Sequence, residues 1–268
     1  TGTQKHTCAA CDYSETGVID KKAHIRNLTC IKCGHCIAIC PVKAVSCDDE
    51  EEYSMEEVIP YEKEDFTIDA DKLMNFMKFR RSVRRFKNIP VEKEKLKQII
   101  EAGRFTQTST NNQDVSYIVL TEKLGEFKEL AYKCLQQKGE YILANLTPET
   151  EHLKRYANMW IHSYNQFKED PLKNDRIFFN APSVIFVTTP NPINGGLASS
   201  NMELMTDALG LGTFFSGFLL IASKDNKEIL DLLGIKDGNT IVSCLVIGYP
   251  DVRYKRTVPR KEANVNWI

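Results

Sequence analysis

Cysteines crowd one short stretch of this 268-residue chain, where four of the nine form the pattern Cys-x2-Cys-x2-Cys-x3-Cys-Pro from Cys30 to Pro41. This spacing lets three thiolates reach one face of a cubane iron–sulfur cluster, while the cysteine before the proline reaches a different cluster. The fourth ligand of the first cluster must then come from elsewhere, and Cys11 is the best candidate upstream. The pattern therefore predicts a 4Fe–4S cluster on Cys11, Cys30, Cys33 and Cys36.

The remaining cysteines leave alternatives open. Cys40 could join Cys8 and Cys47 in a variant second cluster, or a second cluster could be absent. Two Cys-x2-Cys pairs, starting at Cys8 and Cys30, would also fit a zinc ribbon, although a ribbon leaves the later cysteines unexplained. Cys134 and Cys244 stand alone within apolar patterns, and we predict that they are buried packing residues.

Residues 8–47 resemble the bacterial two-cluster ferredoxins, through the cysteine pattern and its continuation Cys-Pro-Val-Lys-Ala-Val. The resemblance implies the same four cluster ligands. It departs upstream, where Asp12 replaces the expected proline and Thr7 stands at an expected cysteine position. Turn and strand residues predict a hairpin between Cys11 and Cys30. We call residues 30–47 the cysteine segment.

A second chemical pattern is the sequence Phe-Arg-Arg-Ser-Val-Arg-Arg-Phe over residues 79–86, here called the arginine segment. Guanidinium groups bind phosphate oxygens in bidentate pairs, and Ser82 adds a hydroxyl donor. The segment alone predicts either an anion site or a solvated surface turn.

Further motifs favour the anion site. The arginine segment, Thr-Ser-Thr-Asn-Asn-Gln over 108–113, Asn-Ala-Pro over 180–182, Gly-Leu-Gly-Thr over 210–213 and Ile-Gly-Tyr-Pro over 247–250 resemble, in this order, the nitroreductase family of FMN flavoproteins. The resemblance covers nearly all of 68–268. It implies an α+β homodimer with FMN at the subunit interface, whose fold is a mixed sheet flanked by helices.

The resemblance also implies the flavin ligands: Arg80, Arg81, Ser82 and Arg84 at the phosphate and ribityl chain, Arg260 as a further phosphate charge, Thr108, Ser109 and Asn111 from the partner subunit, and the backbone of Ser216 and Gly217 near flavin N5. A backbone N–H is a sensible donor there, because reduction places a proton and charge at N5. Asp114 departs from the family, which often has proline in that stretch. So does Ser216, near which members often have an acidic residue.

The elements that must position these residues follow from periodicity. Apolar spacing predicts a helix over 71–79, and Pro90 predicts the start of another that runs to Gly103. Predicted strands and helices alternate afterwards: strands at 115–121, 183–189 and 240–248, helices at 200–209 and 225–233, and a mostly helical stretch at 122–180. We predict a ferredoxin-like domain with an acidic linker over 1–60 and the flavin domain over 66–268.

Composition limits the classes of partner. The net charge is −1, and residues 1–65 carry 7 Lys and Arg against 13 Asp and Glu, which argues against nucleic acid. No apolar run approaches the roughly 18 residues of a membrane span, and no signal sequence is evident, so we expect a cytoplasmic protein.

The predicted function is that of a flavin oxidoreductase. The 4Fe–4S cluster would pass single electrons to FMN, and FMN would pass them on to a small acceptor such as a nitroaromatic or quinone-like compound. The electron donor would be reduced ferredoxin, or NAD(P)H stacked directly on FMN. Two alternatives remain: an electron-transfer protein without a small-molecule substrate, and a zinc-stabilised binding module fused to a flavin domain.

Overall fold

The computed structural model describes residues 30–47 and 52–268, together with the backbone of Glu15–Ile19 and Lys22–Arg26. It divides into two compact units, one of Thr1–Asp69 with Ser109–Asn112 and one of Ala70–Thr108 with Gln113–Ile268. The predicted ligands Cys8 and Cys11 lie outside the described residues.

The first unit contains short elements. Strands β1 (Glu15–Ile19) and β2 (Lys22–Arg26) pair antiparallel, which confirms the predicted hairpin. Helix α1 (His35–Ile39) follows Gly34, whose φ of 74° lies in the left-handed region. A 3-10 turn at Met55–Glu57 and the one-turn helix α2 (Lys63–Phe66) precede the second unit.

The second unit is an α+β body. Its helices are α3 (Ala70–Phe79), α4 (Lys93–Arg104), α5 (Leu124–Ala144), α6 (Lys154–Glu169), α7 (Pro192–Ala208), α8 (Gly217–Ser223) and α9 (Lys227–Leu233). Its strands are β3 (Ser116–Leu120), β4 (Ser183–Thr189), β5 (Gly212–Phe215) and β6 (Thr240–Gly248). They form one antiparallel sheet in the order β3-β4-β6-β5.

Strand β4 explains why helices cover both faces of this sheet. All seven of its residues are buried, and successive side chains point to opposite faces. Val184 and Phe186 pack with side chains of α5, α6 and α8, whereas Ile185 and Val187 pack with side chains of α4 and α7. A continuous apolar strand thus supplies two cores at once.

The arginine segment lies along the edge of the sheet. Ser82 and Thr213 form an isolated parallel bridge, and the Val83 N–H donates to the Thr213 carbonyl at 3.0 Å. The Lys87 N–H donates to the Tyr249 carbonyl at 2.8 Å. The bridge is a parallel pairing beside an antiparallel sheet, in agreement with the mixed sheet expected from the sequence.

Most predicted elements are confirmed, with some errors in extent. The strands at 183–189 and 240–248 match β4 and β6, but Pro90 precedes α4, which begins at Lys93 after the cap residue Glu92. Helix α7 begins at Pro192, well before the predicted start. Strand β5 and helix α8 were not predicted.

Every helix in the part of the chain that the structure describes is too short or too polar to span a membrane.

Candidate functional site

Arg80 follows the C-terminus of α3 and points toward α7. Its Nη1 donates to Glu203 Oε1 at 2.7 Å, and the two side chains are 24% and 12% exposed. An ion pair this poorly solvated is stronger and better ordered than a surface pair. The structure therefore holds the first predicted phosphate ligand in a defined orientation.

The other arginines of the segment differ in their partners. Arg81 donates to the carbonyls of Arg80 and Lys78, so its side chain caps the C-terminus of α3. The Arg84 guanidinium lies 5.2 Å from the centroid of the Phe214 ring, within cation–π range. Ser82 and Arg84 are exposed, so both are accessible to a ligand.

Two glycines allow the arginine segment to approach the sheet. A Cβ on Gly212 would lie 2.7 Å from Val83 Cγ2, and a Cβ on Gly248 would lie 2.9 Å from Phe86 Cδ1. Both distances are shorter than any real Cβ contact. Gly212 thus serves close packing of the segment that carries the arginines.

Residues 108–113 form the loop that is predicted to contact the flavin of the partner subunit, and this loop adopts a tight turn. Thr108 Oγ1 accepts from the Gln113 N–H at 2.9 Å, and Thr110 and Asn111 have φ of 51° and 54°. The Asn111 amide donates to the carbonyls of Ile31 and Lys32, both at 3.0 Å. Within one chain, Asn111 therefore binds backbone of the cysteine segment.

Asp114, the departure from the family at the end of this loop, has a specific partner. Asn194, which is 1% exposed in α7, donates its amide to Asp114 Oδ1 at 2.8 Å. The carboxylate thereby satisfies a buried amide that a proline could not satisfy.

Ser216 and Gly217 lie at the start of α8. The Ser216 N–H donates to the Cys244 carbonyl at 3.0 Å, and the Ser216 hydroxyl accepts from the Leu219 N–H at 3.4 Å. A Cβ placed on Gly217 would meet no atom within 4 Å. Of the two predicted N5 neighbours, Ser216 uses its amide within the fold, and Gly217 faces open space.

Arg260 is exposed in the segment after β6, which has no regular secondary structure. Among the described residues, the structure records no contact between Arg260 and the arginine segment. Its predicted role at the phosphate stays a prediction.

The structure shows no metal site among the described cysteines, and the predicted cluster stays a prediction. Cys30 is exposed, and Cys33, Cys36, Cys40 and Cys47 are partly exposed. Over the part of the chain that the structure describes, no three His, Cys, Asp or Glu side chains stand close enough to hold a metal ion. The expected convergence of three thiolates is therefore not observed. Cys134 and Cys244 are buried, as predicted.

Cys40 nevertheless has thiolate-stabilising surroundings. The Ala44 N–H donates to Cys40 Sγ at 3.2 Å. This bond, with smaller contributions from the N–H groups of the intervening turn, lowers the pKa of the Cys40 thiol.

Sequence reasoning missed two acidic residues of the site, Glu203 and Asp207 on α7. Burial raises the pKa of Glu203, an effect that Arg80 opposes, and burial together with the nearby Glu203 raises the pKa of Asp207 to about 6. Asp207 Oδ2 is buried and has no hydrogen-bond partner among the described residues. The sequence pattern that could have identified them is a pair of carboxylates one helical turn apart, within a helix end that is otherwise largely apolar.

An antiparallel sheet between two helical layers, with the arginine segment attached at its edge, defines the class of protein. Residues 77–249 match the Nitroreductase family, and the chain belongs to that family. The family expected from the resemblance of the sequence motifs is confirmed.

Curated relatives match this chain over part of their length. The chain is 26% identical over 165 residues to an NADPH-dependent oxidoreductase of Staphylococcus aureus strain N315, across 61% of this chain and 60% of the relative. The match to the S. aureus strain USA300 protein of the same name has the same identity and extent. The chain thus matches about 60% of the length of these relatives.

Solved structures share the fold. A nitroreductase with bound FMN from Bacteroides fragilis superposes with a TM-score of 0.55 at 17% identity, over 72% of this chain and 98% of that one. A nitroreductase with bound FMN from Desulfitobacterium hafniense gives 0.52 at 22% identity, over 74% and 100%. An iodotyrosine deiodinase bound to FMN and 3-iodo-L-tyrosine gives 0.54 at 20% identity, over 73% and 98%.

Proposed function

We propose that this protein binds FMN with its phosphate on the arginine segment and passes electrons through the flavin to a small acceptor, such as a nitroaromatic or quinone-like compound. The observation that carries this proposal is the arginine segment itself. Backbone bonds from Val83 to Thr213 and from Lys87 to Tyr249 fix it to the sheet, with Ser82 and Arg84 left exposed. An anion site that is fixed in advance loses little entropy when phosphate binds.

The start of α8 fits an approaching isoalloxazine ring. The open space at Gly217 would admit the ring, and its N–H would donate to N5, whereas the Ser216 N–H is already bonded to Cys244. When bound, the flavin would supply the exchange of electron pairs or hydride with donor and acceptor. The protein residues orient the cofactor, and we assign no catalytic side chain.

A homodimer belongs to the proposal. The resemblance of the sequence motifs to the family implies a dimer with FMN at the subunit interface, and Thr108, Ser109 and Asn111 would reach the flavin of the partner subunit. Arg260 would add phosphate charge from the exposed C-terminal segment. Since the structure ties Asn111 to the cysteine segment, this residue is the weakest member of the proposed partner set.

For the electron donor we propose NAD(P)H or reduced ferredoxin. The relatives named NADPH-dependent oxidoreductases favour NADPH. The chain contains no Gly-x-Gly-x-x-Gly fingerprint, so NAD(P)H would meet the flavin directly rather than occupy a dedicated nucleotide domain.

For the N-terminal unit we propose one 4Fe–4S cluster on Cys11, Cys30, Cys33 and Cys36. Cys8, Cys40 and Cys47 are the candidate ligands of a second cluster, whose presence stays open. The cysteine spacing supports the first cluster. The hydrogen bond that the Ala44 N–H donates to Cys40 Sγ favours a thiolate at Cys40. The described cysteines do not stand together as ligands, so no step of the proposed reaction is routed through the cluster. A zinc site and pure electron transfer are the competing functions.

Cofactor content separates these proposals. Full-length protein purified anaerobically should contain FMN, iron and acid-labile sulfide, and its visible spectrum should bleach with dithionite. Zinc without sulfide would refute the cluster, and failure to bind FMN after reconstitution would refute the flavin function. An acceptor screen with NADPH and reduced ferredoxin as donors then tests turnover, and absence of turnover with every acceptor would favour an electron-transfer protein.

A further inference from the structure

We infer that Glu203 is a positioning residue for the cofactor phosphate, since it fixes the Arg80 guanidinium while leaving most of its donors available. This inference rests on the proposed role of Arg80 in phosphate binding. Nothing in the cysteine or arginine motifs pointed to Glu203, which lies on α7, far from the arginine segment in sequence.

Glu203 contacts the Arg80 guanidinium on one side only, and we call this ion pair the clamp. Only Arg80 Nη1 is bonded to Glu203, at 2.7 Å, and the described structure gives the remaining side-chain N–H groups of Arg80 no partner. A guanidinium carries five N–H donors in a rigid plane, so a single charged bond fixes the direction of the rest. A phosphate at Arg80 would meet donors that are already aligned.

Burial gives the clamp its strength. Glu203 as a whole residue is 9% exposed, and α3 and α7 supply the two charges from separate elements. Loss of the carboxylate would leave Arg80 free to rotate among many rotamers, and phosphate binding would then have to order it.

Asp207, one helical turn along α7, gives the cluster two carboxylates and one guanidinium. Its raised pKa of about 6 reflects burial and the repulsion from Glu203, which Arg80 only partly offsets. Arg80 lowers the pKa of both carboxylates, which means that both attract its guanidinium toward α7 in the free protein. The clamp pre-orients the guanidinium before any anion arrives.

The test compares two ligands that differ only in the phosphate, FMN and riboflavin, on the full-length protein after removal of its flavin. Glu203→Ala should weaken FMN binding about tenfold, as expected for loss of one charge-assisted hydrogen bond, and should leave riboflavin binding unchanged. Glu203→Gln keeps an acceptor oxygen and should recover most of the FMN affinity. Glu101→Ala, which removes the exposed partner of Arg104, is the matched control and should change neither affinity.

Arg80→Ala separates the proposed role of Arg80 in phosphate binding from the positioning role of Glu203. If Arg80→Ala lowers the affinities for FMN and riboflavin equally, or lowers neither affinity, Arg80 does not bind the phosphate. The positioning role of Glu203 is then refuted as well. If Arg80→Ala is selective for FMN but Glu203→Ala keeps wild-type FMN affinity, the positioning role alone is overturned. Equal loss of both ligands in Glu203→Ala would also overturn it, because that result indicates general damage to the pocket.

Discussion

Lys128 and Asp175 form a buried ion pair, with Lys128 Nζ 2.7 Å from Asp175 Oδ2 and no solvent exposure of the Asp175 side chain. The Tyr132 hydroxyl and the N–H groups of Phe178 and Asn180 also donate to this carboxylate. Phe179 and Asn180 have φ of 55° and 57°, so the network holds a strained turn just before β4.

Asp175→Ala should lower the free energy of unfolding by about 3–5 kcal/mol, since it leaves a buried ammonium and several N–H groups without acceptors. Urea denaturation measures the change. Asp170→Ala is the control: that exposed carboxylate accepts from the Leu172 and Lys173 N–H groups, and its loss should cost only about 1 kcal/mol. Equal costs for both variants would contradict the assigned importance of the network.

Gly212→Ala should disturb the arginine segment, because the new Cβ would lie 2.7–3.0 Å from the Val83 side chain. We expect a loss of about 1–3 kcal/mol in unfolding free energy, accompanied by weaker FMN binding. Gly196→Ala on α7 meets no atom within 4 Å and should stabilise the helix by up to about 1 kcal/mol. A Gly212→Ala protein as stable as wild type would show that this close approach is relaxed in solution.

Asp207→Asn should make stability less dependent on pH. Because the folded-state pKa of Asp207 is about 6 against an ordinary value of 3.8, the folded state holds the proton more tightly than the unfolded state. Ionisation of Asp207 therefore opposes folding, and its stabilising protonated form is lost as pH rises through this interval. The variant should gain about 1–2 kcal/mol at pH 7 and nothing near pH 3.5, measured by thermal unfolding. A destabilised variant at pH 7 would refute this assignment.

Asn111→Ala should loosen the cysteine segment by removing two hydrogen bonds, to the Ile31 and Lys32 carbonyls. We expect faster hydrogen–deuterium exchange in peptides that span 30–40. Asn112→Ala removes a neighbouring amide side chain whose oxygen accepts from Thr110, and exchange in that peptide should stay at the wild-type rate. Unchanged exchange in Asn111→Ala, together with loss of FMN, would instead support the partner-flavin role implied by the family.

The double variant Arg80→Ala/Arg84→Ala should lose FMN during purification, because two cations near the proposed phosphate are removed. The ratio of flavin to protein absorbance reports the retention. Arg85→Ala is a control within the same segment, since Arg85 pairs with Asp251 at 3.2 Å. Full flavin retention in the double variant would contradict the phosphate site.

Local sequence patterns were enough to predict the elements whose residues favour a single structure. The buried β-branched runs of β4 and β6 could only be strands, and the arginine segment was recognisable by composition. Strand β5 could not be separated from its surroundings, because Gly212–Phe215 lies inside a longer apolar run whose pairing with β6 depends on distant residues. Glu203 was invisible for the same reason, since its partner Arg80 is brought to it only by the packing of α3 and α7.

The attachment of the arginine segment also sets an order of assembly during synthesis. Its backbone partners Thr213, Tyr249 and Asp251 are all translated long after Arg85 has left the ribosome. The segment cannot take its final place while β5 and β6 are still unmade. A nascent chain stalled before Tyr249 would therefore carry every arginine of the segment without all of its backbone partners. The proposed cofactor would then bind only in the last moments of translation or after release.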